Sequence, residues 1–229
     1  MRIPVTTLND GYDLPLLGLG TYKLQGEDVE RTVRTAIELG YRHIDTASFY
    51  DNEVQVGKAI NDAIKAGDVT REELFITTKL WNDDQERALQ AYNESLERLD
   101  LEFLDLYLVH WPWPQNGTYV KAFEQLAELQ GMGRLQSVGV ANFYPEVLDD
   151  IINATGITPV LNQVELHAGF TQPELRAYHE EHNILTEAWA PIARGSNFND
   201  PAIQAVAQAH EATPAQVCLA YLMKLGLSL

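Results

Sequence analysis

The stretch Tyr41-Arg-His-Ile-Asp-Thr-Ala-Ser-Phe-Tyr50 decides how the rest of the chain is read. It follows Gly40, which closes an amphipathic helix, and His43-Ile-Asp-Thr-Ala47 has the composition of a short buried strand. Asp45 lies near the carboxyl end of that strand, and Tyr50 lies in the loop just beyond it. Leu74-Phe-Ile-Thr-Thr-Lys79 then ends on a lysine, and Leu104-Asp-Leu-Tyr-Leu-Val-His110 ends on a histidine. A lone Asp or Lys at a strand end is usually a cap or a surface ion pair, and a lone loop Tyr is usually packing. Three successive apolar strands with an ionisable residue at the same end point instead to a site.

Working outward, the same alternation continues on both sides. Asn9-Asp-Gly11 between two short alternating runs predicts an amino-terminal hairpin, and Leu16-Leu-Gly-Leu-Gly-Thr-Tyr22 a first buried strand. Val29, Val33, Ala36 and Ile37 share one face of a helix over 27–39. Further helices are expected at about 52–66, 84–99, 118–130, 145–153 and 172–181, with strands at 136–142, 159–165 and 184–189. The strand ends at Asp45, Lys79, His110, Asn142, Glu165 and Trp189 are spaced 34, 31, 32, 23 and 24 residues apart, each the size of one βα unit.

Strands alternating with helices imply a parallel sheet, and seven of them favour a closed barrel. An open doubly wound sheet is the alternative, but Gly18-Leu-Gly20 lacks the third glycine and the following helix of a dinucleotide fingerprint. The expected fold is therefore α/β, a (β/α)8 TIM barrel with an N-terminal β-hairpin. Its site would lie at the carboxyl ends of the strands, where the ionisable residues fall. Thr213-Pro214 starts a helix that runs to about Lys224, and Gly226-Leu-Ser-Leu229 begins an eighth strand. The last strand and final helix are thus expected to be incomplete or missing. On this reading residues 1–229 form a single barrel domain without its usual C-terminal segment, incompletely closed, a monomer whose open edge could associate.

The formal net charge of −17 disfavours nucleic-acid backbone binding and reads as a soluble acidic surface. Cys218 is the only cysteine and sits in an apolar helical run, so a core thiol in a reducing compartment is expected. With no secretory leader and no apolar run of about 18 residues, the expectation is a cytoplasmic protein without a membrane span. The six histidines show no metal-ligand spacing, and His43, His179, His182 and His210 read as structural or solvated.

Asp45, Tyr50, Lys79 and His110 suit proton transfer to a carbonyl oxygen. A tyrosine titrates near pH 10 when unperturbed, and a nearby ammonium is expected to lower that value. Asp45 would hold Lys79 charged, and His110 would donate to the substrate oxygen. Glu165 and Glu187 support a rival reading as a glycosidase carboxylate pair. That reading leaves Tyr50 and Lys79 without a role.

The chain resembles the aldo-keto reductases, within them the bacterial branch similar to 2,5-diketo-D-gluconate reductases. The resemblance rests on Gly18-Leu-Gly-Thr-Tyr22, Gly40-Tyr-Arg-His-Ile-Asp-Thr-Ala47 with Tyr50, Thr77-Thr-Lys-Leu-Trp81 and Leu104-Asp-Leu-Tyr-Leu-Val-His-Trp-Pro112. It extends through Val138-Gly-Val-Ala-Asn-Phe143 and Leu161-Asn-Gln-Val-Glu-Leu-His167. It implies reduction of small aldehydes, ketones or diketo sugar acids by hydride transfer from NADPH, with NADH left open. Tyr50 then matches the proton donor, Lys79 and Asp45 its supporting pair, and His110 the residue that orients the carbonyl. Gly20, Thr21, Tyr22 and Asp45 would border the cofactor. Asn142 and Gln163 would hydrogen-bond its carboxamide, and Trp189 would stack on the nicotinamide. Ala141 and Ala190 stand where the family usually has serines, so those cofactor positions lose a hydroxyl; backbone amides around Ile192 are expected to compensate in part. Tyr22, Phe49, Trp81, His110 and Trp111 would line the substrate pocket. The family's cationic segment for the 2′-phosphate has no counterpart in the 229 residues, so a cofactor-binding barrel or a remnant without useful turnover is the alternative.

Overall fold

In the computed structural model, which describes residues 3–229, the chain begins with a hairpin. Strands β1 (Val5–Thr7) and β2 (Asp13–Pro15) pair antiparallel with Val5 opposite Pro15, turning through Gly11 at a φ of 92° that favours glycine. The remaining strands form one parallel sheet in chain order: β3 (Gly18–Gly20), β4 (His43–Asp45), β5 (Phe75–Leu80), β6 (Leu106–Val109), β7 (Ser137–Ala141), β8 (Leu161–Glu165) and β9 (Leu185–Trp189). Between and after them run α1 (Gly26–Glu38), α2 (Glu53–Ala66), α3 (Ala88–Leu99), α4 (Tyr119–Gly131), α5 (Pro145–Thr155), α6 (Pro173–Glu181), α7 (Pro201–Ala209) and α8 (Pro214–Lys224).

Strand alternation sorts the side chains. One set, including Ile44, Ile76, Tyr107, Val109, Val138 and Val140, packs with the buried faces of the helices into the main core. The other set fills the barrel. Its lower layer is apolar: Phe75, Leu106, Leu108, Ala141 and Leu161 cluster with Leu8 and Leu14 of the hairpin, which plugs the amino-terminal end. Asn9 secures the plug by donating to the carbonyls of Pro159 and Asn183 at 3.2 and 3.1 Å. Above this dry layer the inward positions turn polar, and the site is built there. Packing is close enough to demand glycine at Gly57, where a Cβ would lie 2.1 Å from the Leu99 carbonyl oxygen.

The structure departs from the sequence-based expectation in three places. First, the barrel edge is not open. Ser228 donates its N–H to Thr186 and accepts from Ala188, while Leu229 donates to Leu16 and accepts from Gly18. The last strand is short, as expected, yet two residues bond to β9 on one side and to the β3 segment on the other. The edge that was to serve for association is therefore occupied. Second, α7 was not anticipated, although Asp200-Pro201 carries its signal. Asp200 caps the helix by accepting from the amides of Ala202 and Ile203 at 2.8 and 3.3 Å. Third, the helix expected from 84 begins as a tight 3-10 segment, Asn82–Arg87, before α3. Buried Gln85 draws that segment inward, donating to the Trp111 carbonyl and accepting from Thr118. Among the described residues no helix is long and apolar enough to cross a membrane, and no cluster of His, Cys, Asp and Glu is arranged to hold a metal.

Candidate active site

β4, β5 and the loop after β4 bring Asp45, Lys79 and Tyr50 together. Lys79 is fully buried, and its ammonium donates to Asp45 Oδ1 at 2.5 Å, to the Thr46 carbonyl at 2.8 Å and to the Tyr50 hydroxyl at 3.4 Å. Three acceptors around three N–H donors leave this buried charge fully satisfied. Burial alone works against the ammonium, but the Asp45 carboxylate and the Tyr50 hydroxyl outweigh it and raise the lysine above its ordinary value.

Tyr50 is set by residues that sequence reasoning did not single out. It ends a 3-10 turn, Ser48–Tyr50, in which Ser48 donates to the Lys79 carbonyl at 3.0 Å, and Gln25 donates to the Tyr50 carbonyl at 2.7 Å. Buried Asn52 donates to the carbonyls of Thr21 and Leu24 and accepts from Thr46, joining the loops after β3 and β4. Its signal was its place directly after the Tyr50 loop. Lys79 does pull the phenol's pKa down, as expected, but the net shift is upward. Desolvation is the largest influence and raises it; the Lys79 charge pulls it down without reversing the direction, and Asp45 adds to the rise. Tyr50 is therefore held as a neutral phenol.

His110 follows β6, with its ring edge-on to Tyr50 at 5.8 Å and to Trp81 at 5.1 Å between centroids. Burial, assisted by the Lys79 charge, lowers its pKa to about 3, so the imidazole is neutral. Its Nδ1 is buried without a partner, which favours placing the single ring proton on Nε2. Phe49 stacks on Trp81 at 3.8 Å, and Tyr22 leans on Tyr50 at 5.1 Å. Tyr22, Phe49 and Trp111 are exposed, at 50, 50 and 42%. Tyr22, Phe49 and Trp81 form an apolar rim around the phenol and imidazole.

On the opposite wall, Trp189 donates its indole N–H to Asn142 Oδ1 at 2.8 Å, and Asn142 donates to the His110 carbonyl at 3.0 Å. Gln163 donates to Asp45 Oδ2 at 3.0 Å and to Glu187 at 2.5 Å. The flat, half-buried indole with two carboxamides beside it suits an aromatic ring that itself carries a carboxamide. Gly20 is exposed at the end of β3, and Ala190 and Ile192 are partly exposed after β9. Thr21 is fully buried with its hydroxyl donating to the Asp45 carbonyl, and the Ala141 methyl is enclosed in the barrel's apolar layer. The amides of Ala193 and Gly195 donate to the carbonyls of Ala190 and Ile192.

The remaining expectations are resolved by burial. Glu187 is buried and bonded to Gln163 and Ser228, while Glu165 lies two positions higher, opposite the level of Trp189. No exposed carboxylate pair for glycoside hydrolysis exists there. Cys218 is a buried thiol with its pKa raised by burial. His43 is buried against Thr77, and His179 bridges Asn162 and Thr186.

A fold and site of this kind have close counterparts. The model of the aldo/keto reductase family matches residues 16–228. The chain belongs to that family. An aldo-keto reductase of Mycolicibacterium smegmatis is 47% identical over 97% of this chain and 80% of its own length. The methylglyoxal reductase DkgA of Salmonella typhimurium is 46% identical over the same shares, 97% and 80%. The crystal structure of a mutant of Gox0644 in complex with NADPH superposes with a TM-score of 0.93 at 43% identity, covering 100% of this chain and 82% of that one. Within this aldo-keto reductase, Asp45, Tyr50, Lys79 and His110 converge from separate strands and loops onto one mouth of the barrel.

Proposed function

We propose that this aldo-keto reductase reduces small aldehydes, ketones and diketo sugar acids with NADPH, and that Tyr50 is the proton donor. The observation that carries the reading is the Tyr50 hydroxyl 3.4 Å from a buried ammonium that Asp45 holds in place. NADPH supplies the hydride for the carbonyl carbon. The neutral His110 donates its Nε2 hydrogen to the carbonyl oxygen and orients it. Tyr50 gives its proton to that oxygen as it gains charge, and the Lys79 ammonium stabilises the phenolate left behind. A phenol whose resting pKa is raised is the protonated form this direction requires.

Asn142 and Gln163 would hold the nicotinamide carboxamide, with Trp189 against the ring and Gly20, Ala190 and Ile192 along the cofactor's path. Tyr22, Phe49, Trp81 and Trp111 would exclude water around the carbonyl. The close relation to a protein named as a methylglyoxal reductase supports α-dicarbonyls as a first substrate class. The test is NADPH oxidation with a panel of small aldehydes and α-dicarbonyls, beside Tyr50→Phe. Turnover that falls by about 10²–10⁴-fold in the variant is expected. Undiminished turnover overturns the role of Tyr50, and NADPH binding without turnover in the parent chain overturns the reductase reading.

A further inference from the structure

Glu187 has no part in the reaction just described, yet it is a carboxylate buried inside the barrel with no cation among the described residues bonded to it. Its two oxygens accept from two neutral donors: Oε1 from Gln163 at 2.5 Å, and Oε2 from the Ser228 hydroxyl at 3.1 Å. The same Gln163 nitrogen donates to Asp45 Oδ2 at 3.0 Å. An ionised carboxylate only accepts hydrogen bonds, so the amide end facing two of them is the NH2. Each of its hydrogens has its own acceptor, and the amide cannot turn over without setting its carbonyl oxygen against both carboxylates. Oε1 of Gln163 is thereby left as the free polar atom of that side chain.

We propose that Glu187 is a positioning residue for the cofactor: braced by Ser228, it pins the Gln163 amide so that its carbonyl oxygen accepts from the NH2 of the nicotinamide carboxamide. The inference rests on the reading that Gln163 meets that carboxamide. Asp45 is bonded to Lys79 at 2.5 Å and makes the longer contact to the amide, so it shares its charge between two donors. Glu187 makes the shorter contact and has no competing cation among the described residues. Ser228, which closes the barrel by its backbone, completes the brace by its side chain. The closing strand therefore reaches the cofactor site through one carboxylate and one amide.

The test measures NADPH affinity without substrate, by quenching of the protein's tryptophan fluorescence, together with steady-state constants. Glu187→Gln can keep both contacts, its carbonyl accepting from Gln163 and its NH2 donating to Ser228, so its Kd should stay within about threefold of the parent. Glu187→Met removes both, and its Kd should rise about tenfold, the equivalent of about 1.4 kcal/mol. The KM for the aldehyde should not move in either. In a Gln163→Leu background the Glu187→Met change should cost no more than about twofold, because the amide it orients is gone. An unchanged Kd in Glu187→Met, or an equal loss in Glu187→Gln, overturns the inference while leaving the reductase reading intact. A parent chain that turns over carbonyls without any effect of Gln163→Leu on Kd overturns the assignment of Gln163 and the inference with it. If Glu187→Met shows no cooperative melt, Ser228→Ala carries the test: a Kd raised about threefold is expected, and an unchanged one overturns the brace.

Discussion

Replacing Lys79 by methionine should damage stability and catalysis for different reasons, and the two are separable. The ammonium is fully buried and bonded to Asp45, the Thr46 carbonyl and Tyr50. Methionine fills similar volume but leaves Asp45, only 13% exposed, with the Gln163 amide as its remaining side-chain partner among the described residues. Removing one member of a buried ion pair typically costs about 3–5 kcal/mol, because the surviving charge is uncompensated. Asp45→Asn in the same chain removes that charge, so the double variant should recover most of the loss. Urea unfolding of the parent, both single variants and the double variant forms the cycle that measures this coupling. Activity behaves differently. Without the ammonium, burial and Asp45 both oppose the phenolate, and turnover should fall by about 10²–10⁴-fold in the single and double variants alike. A Lys79→Met chain within about 1 kcal/mol of the parent, or a double variant whose losses simply add, would refute the coupled-pair argument.

Other outcomes follow from burial and packing. His110 and His179 have folded pKa values of about 3 and about 4, below the ordinary 6.5, so the unfolded chain takes up protons first as pH falls. Stability is full above about pH 6.5 and declines below it, by about 2 kcal/mol per histidine at pH 5; His179→Gln should shrink the difference between urea unfolding at pH 8 and pH 5 by that amount. Because Tyr50 is raised above its ordinary value, carbonyl reduction at saturating NADPH should show no loss from phenol ionisation until above about pH 10; a decline with an apparent pKa near 8 would contradict its burial. Gly57→Ala would set a methyl against the Leu99 carbonyl, and thermal melting should show destabilisation of about 3 kcal/mol or more. A melting temperature unchanged from the parent would show that α2 and α3 can separate at no cost.

Much of this was legible because strand and helix periods survive in the sequence. Asp45, Lys79 and His110 occupy inward positions of successive strands, and a two-residue alternation with apolar partners between them places them on one side without any knowledge of contacts. The hairpin was readable from Asn9-Asp-Gly11, and the direction of the site from the rule that barrel chemistry sits at strand carboxyl ends. Asn52 and Gln85 were not readable. Apart from Thr46, six residues before Asn52, their partners lie 26 to 33 residues away, and a buried amide in a loop has no periodic signature.

The sequence by itself determined the alternation of strands and helices apart from α7, the parallel barrel and the ionisable set at its mouth, because those depend on local pattern repeated along the chain. Only the tertiary structure decided three things. It showed that Ser228 and Leu229 bridge β9 and the β3 segment, since closure depends on backbone bonds between chain ends. It reversed the expected shift of Tyr50, since the balance between desolvation and the Lys79 charge depends on how much water burial removes. And it linked Ser228, Glu187 and Gln163 to Asp45, since a polar chain across the barrel interior is formed by residues that only folding brings within hydrogen-bond reach.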